Sequence, residues 1–147
     1  MEYENYGLII KKSKDIENSL ILLVDAKEKT DFFELINTAK EKRILSDNNI
    51  SDLHTIRKIR NKVAHSNKTI SKNELNIFRE KSQEIEKIIN TKIKYKEETR
   101  RSKENEELAK KLLNNSKGKR NPSTMEIVKA VGTVAVPLTL LIISLLK

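Results

Sequence analysis

The 147 residues hold about one domain's worth of chain, with one modest core, which excludes a multidomain enzyme within them. Charged residues make up 35% of the sequence against a usual quarter or so, and 30 Lys and Arg face 21 Asp and Glu, so the formal charge of +9 asks for an anionic partner, nucleic acid or a lipid surface. Cysteine is absent, which removes thiol catalysis, disulfides and cysteine-ligated zinc, and three glycines with two prolines argue for an all-α chain with few turns rather than sheets or glycine-rich nucleotide loops.

The first predicted helix spans about residues 4–27, with Leu8, Ile9, Ile16, Leu20, Leu23 and Val24 as its apolar stripe. Asp31 followed by Glu34 is a capping box that opens the second, which carries Phe32, Leu35, Ile36 and Ala39 and fades after Leu45. The polar stretch SDNNIS reads as a turn, and Ser51 or Asp52 caps a third helix that ends near His65.

On a wheel at about 100° per residue the third helix separates two faces. Leu53, Ile56, Ile59, Val63 and Ala64 form an apolar arc, while His54, Arg57, Asn61 and His65 form a polar stripe that holds both histidines of the chain. Arg60 falls inside the apolar arc, and a guanidinium there must find a carboxylate, a helix C-terminus or the bundle edge. Eleven residues of helix put His54 and His65 about 16 Å apart, too far to share a metal within one helix. No metal site and no cofactor are expected.

Ser71 and Glu74 make another capping box, and no glycine or proline follows before Gly118, so the fourth helix is long. Its stripe of Leu75, Phe78, Ser82, Ile85, Ile89 and Ile93 stops at Ile93, and KYKEETRRSKENEE then offers no apolar face, as in a solvated helix laced by ion pairs. The charge is uneven: residues 1–91 hold 17 basic and 15 acidic side chains, and residues 92–120 hold 11 and 5. Two thirds of the excess therefore sits in under a fifth of the chain.

Residues 130–146 (AVGTVAVPLTLLIISLL) carry no charge over 17 positions, about 25 Å of helix, and adding the turn from Met125 brings the length to that of a membrane span. Lys117, Lys119, Arg120 and Lys129 precede it, which by the positive-inside rule keeps the part ahead of the span cytoplasmic. Thr133, Pro137 and Ser144 share a polar-tinged face suited to packing against copies of the span or lining a narrow pore. The organisation expected is a helical bundle over 1–93, a basic helical stalk over 94–120 and a single transmembrane helix over 121–147, at the inner membrane.

The heptapeptide IRNKVAH at residues 59–65 resembles the signature of the HEPN family, an arginine separated from a histidine by four to six residues with asparagine directly after the arginine. The order of a short helix, a polar turn, the motif helix, a loop and a capped long helix is also similar, over about residues 32–93. The resemblance implies a small antiparallel helical bundle that dimerises so that two motifs face one composite cleft, and in the family's nucleases a metal-independent RNA cleavage by the ribose 2′-hydroxyl. It assigns His65 to proton transfer, Arg60 to the phosphorane charge and Asn61 to orientation; Arg57, about one turn earlier on the polar stripe and outside the minimal signature, and Lys62 are candidates for RNA binding. With its span, the chain looks similar in plan to the small membrane HEPN accessory proteins beside RNA-guided type VI CRISPR nucleases. The expectation is thus an anti-phage effector that forms a homo-oligomer, a dimer or a larger ring, and perturbs or permeabilises the membrane, with lipid and RNA or an RNA-guided nuclease complex as partners. The alternatives are a tethered endoribonuclease and a non-catalytic tethered scaffold.

Overall fold

A computed structural model describes residues 2–65 and 69–116 of the chain. Among the described residues there are four helices and no strand: α1 (Glu2–Val24), α2 (Phe32–Glu41), α3 (Asp47–His65) and α4 (Lys72–Ser116), the all-α class that the composition predicts. No helix among the described residues is long and apolar enough to cross a membrane, and the span expected over 121–147 lies outside them. The chain divides into two compact units, Met1–Lys96 and Glu97–Lys147.

The core of the first unit is the set of stripes read from the sequence. Ile9, Ile16, Leu20, Leu23 and Val24 of α1, Phe32, Leu35, Ile36 and Ala39 of α2, and Phe78, Ile85 and Ile89 of α4 are all buried in one cluster with Ile50, Leu53, Ile56 and Ile59 of α3. Ala64, placed on the apolar arc from the wheel, is exposed instead. The closest backbone approaches are among α1, α2 and α3.

Ion pairs and hydrogen bonds fix the directions. Asn5 bonds Arg79, Lys12 bonds Glu86 and Leu22 bonds Lys96, each pair 74 residues apart, so α1 and α4 run parallel. Asp52 pairs with Lys81 and Lys62 with Glu74, so α3 runs antiparallel to α4. The antiparallel arrangement expected from the sequence therefore applies to α3 against both α1 and α4 and not to α1 against α4; the ten residues of α2 are too few to return the chain by a full helix length.

Helix ends differ from the sequence reading in three places. The SDNNIS stretch is the start of α3 rather than a turn, because Ser46 caps it: its hydroxyl accepts from the Asn49 backbone N–H at 3.3 Å and donates to the Asn49 side chain at 2.6 Å. α1 stops at Val24 and α2 at Glu41, several residues early, since Asp25 (φ 57°) and Arg43 (φ 52°) turn left-handed. The Ala26 N–H bonds the Ile21 carbonyl at 3.1 Å, and the Ile44 and Arg43 N–H groups bond Ala39 and Lys40 at 2.9 Å, which is the Schellman pattern. Glycine is the usual occupant of that position, and a side chain there costs about 1–2 kcal/mol. Neither cap carries the glycine that would mark it in the sequence.

In the second unit, the part of α4 from residue 97 onward carries the expected ion pairs between successive turns, Arg100 with Glu104 at 3.6 Å and Glu106 with Lys110 at 2.6 Å. Both pairs are solvent-exposed and screened, so they favour the helix without adding much to its stability. The Lys110 bond holds the Glu106 carboxyl below its ordinary range and raises Lys110 in return.

The left-handed cap makes a direct prediction. Arg43→Gly relieves the steric cost while giving back some unfolded-state entropy, so it should raise unfolding stability by about 0.5–1 kcal/mol in urea denaturation.

Candidate functional site

α3 presents its polar residues in different directions because its buried positions wind around it. Ile50, Leu53, Ile56 and Ile59 are three residues apart, so the buried stripe drifts by about 60° per step and by about half a turn in all. The helix is packed on changing sides along its length, and the five candidate residues near its end leave it toward separate neighbours.

Arg60 crosses to α1. Its Nη2 lies 3.4 Å from Glu17 Oε1, with the Glu17 side chain 9% exposed and that of Arg60 32%, and its Nη1 donates to Asn61 Oδ1 at 3.1 Å. Lys14 also reaches Glu17, at 3.1 Å from solvent. The arginine inside the apolar arc thus meets a carboxylate, one of the partners such a position calls for.

Lys62 faces the other way, into a groove of about 550 Å³ between α3 and the start of α4 that Asn61 also lines, where Thr55 and Lys58 share their wall and Glu74 and Ile77 stand opposite. Lys62 Nζ donates to both oxygens of Glu74 at 2.8 Å. Glu74 is the hub of this corner: it also accepts from the Ser71 backbone N–H and hydroxyl at 2.9 Å, while its own N–H bonds Ser71 Oγ at 3.2 Å, the reciprocal capping box. The Lys62 hydrogen bond, with the two from Ser71, brings the Glu74 carboxyl down from 4.5 to about 2.

Arg57 and His54 turn toward α2. The Arg57 guanidinium lies 4.8 Å from the centroid of the Phe33 ring, and the His54 ring sits 6.0 Å from it at 47°. Phe33 remains 46% exposed, so this is a surface platform in which a cation–π contact contributes about 0.5–1 kcal/mol. His65 is exposed at the last residue of α3. Five residues of helix turn it about 140° from Arg60, and among the described residues it bonds neither Arg60 nor Asn61.

One chain therefore brings Arg60 and Asn61 together, places Asn61 with Lys62 on an open groove, and leaves His65 and Arg57 apart from them. Joining a histidine to an Arg60 in one cleft requires a second copy of α3. A phosphate approaching Lys62 would have to displace the Glu74 carboxylate, so that lysine's charge is already matched. Among the described residues no three His, Asp or Glu side chains converge on a point that would hold a metal.

Glu17 and Phe33 are participants that the sequence reading did not single out. Glu17 had a signal: on the α1 wheel it lies about 20° from Val24, at the edge of the apolar stripe, as Arg60 lies within the stripe of α3. Two opposite charges each placed against hydrocarbon are natural partners. Phe33 had none, since the doublet Phe32-Phe33 does not say which ring is inside. Comparison with known proteins gives no match: no family model fits the chain, and no curated protein and no solved structure is similar to it.

The depressed Glu74 carboxyl sets a pH dependence. Its folded value lies below its unfolded one, so the contribution is fully present above about pH 4.5 and is lost as pH falls toward 2. Glu74→Gln should flatten the fall in stability across that window, read from urea midpoints at successive pH values, and leave the slope above pH 5 unchanged.

Proposed function

We propose that this chain is a membrane-tethered, HEPN-like effector of bacterial anti-phage defence that forms a homo-oligomer at the inner membrane and permeabilises it. The observation that carries the reading is the uncharged stretch at 130–146 directly after a basic segment, a pattern that soluble helices, apolar on one face only, do not need. In this reading the all-α first unit is the cytoplasmic oligomerisation domain, lipid is the partner of the basic stalk, and an RNA-guided nuclease complex is the upstream partner.

The placement of Arg60 favours the membrane output over RNA cleavage. Its guanidinium is occupied by Glu17 and Asn61, so it serves the packing of α3 on α1 before it can serve a phosphorane. A second reading, a tethered metal-independent endoribonuclease, draws on Asn61 at an open groove and on the exposed His65, which two copies of α3 would combine with Arg60 and Arg57 in one cleft.

Induced cells distinguish these outputs through membrane potential and RNA integrity. Removal of residues 125–147 should abolish both depolarisation and growth arrest, and His65→Ala should leave both as in the parent. RNA decay and full growth arrest from a chain ending at Ser116 would transfer the function to the ribonuclease. Growth arrest unchanged by either alteration would leave only the scaffold.

A further inference from the structure

The ends of α1 and α2 meet residues 92–96 of α4 around a second cavity, of about 380 Å³, whose wall includes Asp25, Lys42, Arg43, Lys92, Tyr95 and Lys96. Four cations and one carboxylate converge there. Two of the cations are committed to the fold. Lys42 Nζ donates to the Val24 carbonyl at 2.7 Å, and Lys96 Nζ donates to the Leu22 and Leu23 carbonyls at 3.1 and 3.0 Å and meets Asp25 at 2.7 Å. They satisfy the last carbonyls of α1 and cancel the negative end of that helix, which would otherwise repel an anion. The hydrogen bond from Lys96, against the opposing effect of burial, holds the Asp25 carboxyl below its ordinary range, with the charges of Lys96 and Lys42 adding to it.

Arg43 and Lys92 are left over. Among the described residues neither side chain has an ion-pair or hydrogen-bond partner, and both are exposed to the cavity's solvent. Arg43 is also one of the two left-handed residues, and Asp25, on the same wall, is the other. Glycine would close each helix with less strain, yet both positions carry charged side chains that line one cavity. Asp25 is held by its pair with Lys96, whereas among the described residues no contact within the fold uses the Arg43 side chain, and strain kept at such a residue is the kind of feature that a binding role explains.

We propose that this cavity binds a phosphate group, with Arg43 and Lys92 as its direct ligands and Lys42 and Lys96 as the walls that hold the field positive. An arginine fork beside a lysine suits the several oxygens and double charge of a phosphate better than a single carboxylate, which one cation would satisfy. The volume is at the small end of ligand pockets and fits a small phosphorylated molecule or the headgroup of a phospholipid. The site is independent of the reading of α3 and stands whether the output is a pore, a nuclease or neither.

The test uses the full chain in detergent micelles, titrated with inorganic phosphate or with short-chain phosphatidic acid, and with phosphatidylcholine as the control lipid. Saturable binding by calorimetry is expected for at least one phosphate probe. Arg43→Gly and Lys92→Gln should each weaken it roughly ten- to hundredfold, the loss typical of a hydrogen bond to a charged group. Arg43→Gly is expected to stabilise the fold, and its urea midpoint, measured beside the titration, separates weakened binding from unfolding. Lys94→Gln, which removes a neighbouring charge that does not line the cavity, should change affinity less than twofold. Saturation by inorganic phosphate assigns a soluble ligand, and saturation by phosphatidic acid alone assigns a headgroup. Absence of saturable binding by both probes, wild-type affinity in Arg43→Gly, or an equal loss in Lys94→Gln would each overturn the proposal.

Discussion

Glu17 and Arg60 each carry a charge against a mostly apolar stripe, and their pairing ties α3 to α1. With Arg60 drawn to α1, the helix must present Asn61 and Lys62 to α4 and Arg57 with His54 to α2. That contact and the winding of the buried Ile50, Leu53, Ile56 and Ile59 go with the separate directions in which the candidate residues leave the helix. Removing Arg60 would leave the buried Glu17 carboxylate to Lys14 alone, and removing Glu17 would leave the half-exposed Arg60 to Asn61, so the cost of losing either partner is moderated by these second contacts.

The same division between energy and register holds for α4. Phe78, Ile85 and Ile89 supply its burial, and the polar links at a constant spacing of 74 residues align it with α1. Two serines sit among these apolar residues. Ser82 donates to the Arg79 carbonyl at 3.2 Å, while the buried Ser13 hydroxyl, one turn before Glu17, has no partner among the described residues, an arrangement that costs about 1–3 kcal/mol. Nothing in the structure explains why Ser13 is not alanine.

Periodicity and caps made most of the first unit legible from the sequence. The stripes of α1, α2 and α4 and the Ser71–Glu74 box are local patterns, and local patterns survive folding. What escaped lies in atypical local caps and in neighbours distant in the chain. The early ends of α1 and α2 rest on charged residues in a conformation that glycine normally marks, and the start of α3 on a serine cap hidden in a polar run. The site was half legible for the same reason: the wheel placed Arg60 against the core and so required a partner, but Glu17, Phe33 and Glu74 were supplied by other helices. The parallel course of α1 and α4 had no sequence signal at all.

The measurement that bears most directly on this account is a double-mutant cycle on Glu17 and Arg60. Stabilities of Glu17→Gln, Arg60→Gln and the double variant, taken from urea denaturation, should give a coupling energy of about 1–3 kcal/mol, with the double variant less damaged than the two single losses added together. Additivity within about 0.3 kcal/mol would mean that the two charges do not recognise each other, and the orientation of α3 would then need another cause.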